Sequence, residues 1–167
     1  MRASDFLTEL FNSKGVKWDT KDDDMVDGYF KASNGIRYRI DFLAPYVGPD
    51  EMGPYDIMST DMPDELYERC WFVEFAQVDK KDSGVEKQGI EGTGAAAEVF
   101  GIVINAILKF IKKQKPVMLY FQAVEPSRQR LYAAITTRLG NSIGWQVKQV
   151  GQHFYMYNKK LAGYADQ

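Results

Sequence analysis

Two carboxylates stand where a group that moves protons would be useful. Glu74 is the lone acid in the apolar run Cys70–Val78, and strand alternation sets it on the face of Phe72, Ala76 and Val78. Desolvation there would raise its carboxyl into the range of a base working near neutral pH. The structural use of the same residue is pairing across a sheet with Arg37 or Arg39. Glu125 follows the apolar run Val117–Val124 and directly precedes Pro126. It serves either as an acid at the carboxyl end of a strand or as the cap of the next helix. Tyr132 offers a phenol that either gives a proton or packs its ring with the hydroxyl in water. Gln88-Gly89-Ile90-Glu91-Gly92-Thr93-Gly94-Ala95 sets successive N–H groups ahead of a long helix, the chemistry of an anion site. The same glycines serve equally as a permissive turn. Arg128 and Arg130 either reach a phosphate or lie in solvent.

Other chemistries are subtracted by composition. One histidine, His153, and one cysteine, Cys70, provide neither a His/Cys zinc set nor a Ser-His-Asp relay, so no metal site is expected. A single cysteine cannot close an internal disulfide. Asp22-Asp23-Asp24 lacks the ordered ligand spacing of a cation loop and reads as solvated. Lys+Arg 21 against Asp+Glu 23 gives a net charge of −2, which excludes a strongly basic nucleic-acid binder. No apolar run approaches the ~20 residues of a membrane-spanning helix, and Met1-Arg2-Ala3-Ser4-Asp5 leads into no signal-peptide core. The expectation is a cytoplasmic protein in which 167 residues make one domain. Trp18, Trp71 and Trp145 read as packing aromatics, and His153 as a structural or surface residue of a terminal strand.

The elements that must position these residues follow from periodicity and punctuation. Ser4–Phe11 reads as a short helix capped by Ser4. Strands are predicted over 25–33 and 36–44, joined at Asn34-Gly35 by a type I′ turn. Ile36, Tyr38 and Ile40 face inward, and Arg37, Arg39 and Asp41 outward. Residues 45–64 hold four of the six prolines and read as a long loop, of the kind that often forms a lid or binding loop. A strand over 70–78 precedes the polar stretch 79–92. A helix over 94–113 then carries Ala96, Val99, Phe100, Val103, Ile104, Ile107, Leu108 and Ile111 as its apolar stripe. Val117–Val124 reads as a strand covered on both faces. A helix follows over 127–139, and two strands, 145–150 and 153–158, close the chain. The strand–helix–strand unit over 70–124 requires a parallel pair with a right-handed crossover. The fold class is therefore α+β: a single mixed, mostly antiparallel sheet with a central parallel strand pair and flanking helices.

Gly92-Thr93-Gly94-Ala95-Ala96-Ala97 fits a dinucleotide fingerprint in letters only. The loop from the preceding strand is long, and Lys113-Gln114-Lys115 occupies the position of the expected acid. The order of elements from Met25 onward resembles the GNAT superfamily of acyl-CoA-dependent N-acyltransferases. That family has an antiparallel hairpin and a fourth strand, then a phosphate-binding loop and helix, a parallel fifth strand, a second helix and two terminal strands. Gly92-Thr93-Gly94 is similar to the glycine end of the family loop. Leu131-Tyr132, Gly144-Trp145 and Phe154-Tyr155-Met156-Tyr157 are similar to its later landmarks. Glu91-Gly92-Thr93-Gly94, Val99-Phe100 and Glu125-Pro126-Ser127-Arg128 resemble a divergent group often encoded by bacteriophages.

The resemblance implies acetyl-CoA as cofactor, bound by the strand ending at Val78, by Gly92, Thr93, Gly94 and Ala95, and by Arg128. It implies direct attack by an amine acceptor, a small molecule or a protein, with Glu74 as base and Tyr132 protonating the departing thiolate. The alternative it carries is a catalytically inactive GNAT-like phage protein that binds a host or phage partner. Neither nucleic acid nor membrane is expected as a partner.

Overall fold

A computed structural model describes residues 15–49, 53–78, 86–87 and 96–165. The expected helix over 4–11 and the glycine loop 88–95 lie outside the described residues. Three strands open the fold: β1 (Lys17–Asp22), β2 (Met25–Lys31) and β3 (Arg37–Leu43). They are followed by β4 (Cys70–Val78), the two-residue β5 (Glu86–Lys87) and β6 (Met118–Gln122). β7 (Gln146–Val150) and β8 (His153–Tyr157) close the sheet. The described helices are α1 (Asp64–Tyr67), α2 (Ala96–Gln114), α3 (Pro126–Ile143) and α4 (Lys159–Ala162). The strands form one mixed sheet in the order β1-β2-β3-β4-β6-β8-β7, with β5 paired to β4. β4 and β6 are parallel, as expected, and the other pairings are antiparallel.

β1 is a strand that periodicity did not announce. Its residues Lys17, Asp19 and Thr20 are exposed, so no apolar alternation marks it. Asn34-Gly35 does mark a hairpin, but of another kind. Gly35 N–H donates to Ala32 O at 3.0 Å, Ala32 N–H to Ile36 O at 2.9 Å, and only Gly35 has positive φ, +84°. This is a three-residue loop with a glycine bulge rather than a two-residue type I′ turn. The expected outward face also needs correction, because Asp41 is buried along with Tyr38, Ile40 and Phe42.

The main core lies between the sheet and the helices α2 and α3. Phe42 stacks on Phe110 at 3.9 Å, and Trp71 meets Phe110 edge-on at 5.2 Å. Ile40, Phe75, Phe121, Ile135 and Leu139 complete this layer. The buried ridge of α2 runs through Val99, Ile102, Val103, Ala106, Ile107 and Phe110. It is therefore rotated from the expected stripe: Ala96 is exposed, and Phe100, Leu108 and Ile111 are half-buried. Each side chain fully buried here is worth roughly 1.5–3 kcal/mol. The helix stops at Gln114, one residue before Lys115 turns to φ +51° and two before Pro116.

The other face carries a second cluster, and the proline-rich stretch helps to build it. Ile57, Met58 and Met62 are buried against Phe72, Tyr120, Tyr155 and Leu161. Met58 forms a β-bridge with Ala165. Where it is described, the stretch 53–64 is a packed cover for the sheet, including a 3₁₀ turn at Pro54–Asp56.

Candidate functional site

The site is built on an interruption in the sheet. The parallel pairing of β4 with β6 runs from Cys70↔Met118 through Trp71↔Leu119 to Phe72↔Tyr120 and then stops. Farther along the same edge, Gln77 and Val78 pair with Lys87 and Glu86 of β5. Between them, Val73 to Ala76 have no strand partner on that edge among the described residues. Unpaired buried backbone groups are costly, so something must satisfy them.

Side chains of α3 do so. Phe75 N–H donates to Tyr132 Oη at 3.2 Å, and Arg128 Nη2 donates to Phe75 O at 3.0 Å. Arg128 and Tyr132 are four apart, so one helix face delivers both, and the guanidinium lies 5.9 Å from the Tyr132 ring centroid. Pro126 starts the helix, with Glu125 at the capping position but with no cap hydrogen bond from its side chain. Gln129 Nε2 donates instead to Ala123 O at 3.0 Å, binding the first turn to the end of β6. Thr136 Oγ1 donates to Tyr132 O at 2.8 Å.

Tyr132 is 1% exposed and its phenol is pushed up to about 12, mainly by burial, with the Arg128 charge and the Phe75 bond acting the other way. Its hydroxyl is therefore neither wet nor ionised at neutral pH. Arg128 does not lie in solvent, which corrects one of its two sequence readings. It is 4% exposed and turned inward, and its Nε has no hydrogen-bond partner.

Glu74 is half-buried and faces not an arginine but Asp41 across β3. Arg39 stands opposite Ala76, and its Nε donates to Asp41 Oδ2 at 2.8 Å. Asp41 in turn stands opposite Asp27, and Asp27 opposite Asp19. A row of four carboxylates thus crosses β1 to β4 on one face. Burial and a shared hydrogen bond with Asp27 raise the Asp41 carboxyl to about 7, against the pull of Arg39. Sequence reasoning missed the Asp27–Asp41 pair, whose only signal was cross-strand register.

Val78, at the end of β4, is half-buried. Gly92, Thr93, Gly94 and Ala95 lie outside the described residues, so of the expected site the structure brings together Glu74, Arg128 and Tyr132 around Phe75. Cys70 is fully buried, and burial raises its thiol to about 12, so it is no nucleophile. Among the described residues no group of three or more His, Cys, Asp or Glu could hold a metal, and no helix is long and apolar enough to cross a membrane. No family model and no curated protein matches this sequence.

Proposed function

We propose that this chain is a GNAT-like domain that transfers an acetyl group from acetyl-CoA to an amine. The observation that carries this reading is the Tyr132 hydroxyl, held on a β4 amide inside the gap where β4 and β6 part. The order of elements from β2 to β8 supports it, as does the carboxylate row on the opposite face. Acetyl-CoA would supply the activated thioester. Phe75 N–H is the amide that would hold a carbonyl oxygen in the gap, released by Tyr132 for that purpose. Tyr132 keeps its proton at neutral pH and gives it to the departing thiolate. Glu74 accepts the proton shed by the amine, with Asp41 and Asp27 behind it as a pair that already shares one.

A second reading, a protein-binding module without catalysis, is favoured by one feature. Tyr132 and Arg128 already occupy the N–H and C=O of Phe75. Calorimetric titration of the full chain with acetyl-CoA decides between the two. Binding within the usual cofactor range of about 1 μM to 1 mM, lost in Gly94→Glu, supports transfer. Absence of heat overturns transfer and leaves the binding module.

A further inference from the structure

The end of the sheet beside Val78 holds a second feature that the acyl-transfer reading does not use. A cavity of about 370 Å³ is lined there by Lys17, Tyr29, Lys31, Arg37, Tyr38 and Val78 among others. Its cations come from three neighbouring strands. Lys31 and Arg37 are direct cross-strand partners, and Lys17 is the partner of Tyr29. Like charges directly opposite one another destabilise a sheet, and none of the three makes an ion pair among the described residues. The carboxylates farther along the same face, Asp27 and Asp41, are engaged with each other and with Arg39. Glu86 stands opposite Val78 in register, beyond the far edge of β4. A chain of net charge −2 therefore concentrates positive charge at one concave spot.

We propose that this cavity binds a nucleoside polyphosphate. Its volume falls within the roughly 300–1,000 Å³ of small-molecule sites. Arg37 offers a planar fork to phosphate oxygens, and Lys17 and Lys31 offer mobile point charges. β1 and β3 lie two strand spacings apart, roughly 10 Å, a span that suits two or more linked phosphates better than one. The half-buried Tyr29 ring between Lys17 and Arg39 provides a stacking surface for the base.

Titration of the full chain with ADP, inorganic pyrophosphate and adenosine tests this. ADP is expected to bind, pyrophosphate more weakly and adenosine least, with affinity falling as salt rises. Arg37→Gln and Lys31→Gln alter exposed side chains and should each weaken ADP binding about ten-fold or more. Lys109→Gln, an exposed change on α2, should leave it unchanged. No heat with ADP or pyrophosphate overturns the proposal, as does adenosine binding as well as ADP. ADP binding undiminished in Arg37→Gln and Lys31→Gln, or abolished by Gly94→Glu, overturns the location. None of these failures touches acetyl-CoA binding at the gap, which the Gly94→Glu titration with acetyl-CoA reads separately.

Discussion

Tyr132 and Asp41 show how burial changes what a side chain can do. The Tyr132 hydroxyl accepts the hydrogen bond that Phe75 N–H gives into the gap, so among the described residues Tyr132→Phe leaves that donor buried and unmatched. The expected loss is about 1–3 kcal/mol of stability, read by urea denaturation. A loss below about 0.5 kcal/mol would mean that another group satisfies the amide. Asp41 makes folding depend on pH in an unusual direction. In the folded chain it keeps its proton up to about pH 7, whereas the unfolded chain releases it near 3.8. Between those values the folded state binds more protons, so stability falls as pH rises. The contribution is full below the unfolded value and gone once pH has climbed through about 7. The slope is at most about 1.4 kcal/mol per pH unit. Asp41→Asn should flatten the dependence across that window, and a variant with an undiminished slope would assign it to another group.

At the scale of elements, the tail of α3 packs against β7 through a missing side chain. A Cβ on Gly140 would lie 2.7 Å from Val147 Cγ2 and 3.0 Å from Trp145 O. Helix propensity alone favours alanine there by up to about 1 kcal/mol, and overpacking costs about 1–3 kcal/mol. Gly140→Ala should therefore lower the thermal midpoint; a rise would show that β7 yields without cost. The element order, the parallel pair and the closing strands were legible because apolar runs and Pro/Gly punctuation mark them. The carboxylate row was not, for a reason that one turn explains. A two-residue turn at Asn34-Gly35 places Asp27 opposite Phe42. The bulged loop adds one residue and brings Asp27 opposite Asp41 instead. Turn type, which the letters Asn-Gly leave open, decided whether the acids meet. β1 stayed hidden because its outward residues are polar and its inward ones are few.

For the molecule as a whole, charge and burial are sorted by face. The helix side of the sheet is mostly apolar, with Asn105 of α2 and Arg128 and Thr136 of α3 buried as its polar members. The other side passes from the cations Lys31 and Arg37, through the row Asp27–Asp41–Glu74, to Phe72 and Tyr120 under the 53–64 cover. Glu74, Arg128 and Tyr132 could be named from sequence as candidates. Their meeting around Phe75 could not, because it depends on where two strands stop pairing. That stopping point bears on solubility as well as on chemistry. A stretch of strand edge with unused N–H and C=O groups is a template on which a strand from another molecule can form. By taking both backbone groups of Phe75, Tyr132 and Arg128 remove the central rung of that template. The same two side chains thus protect the chain from edge-to-edge aggregation, and variants that empty the gap would be the ones to lose that protection.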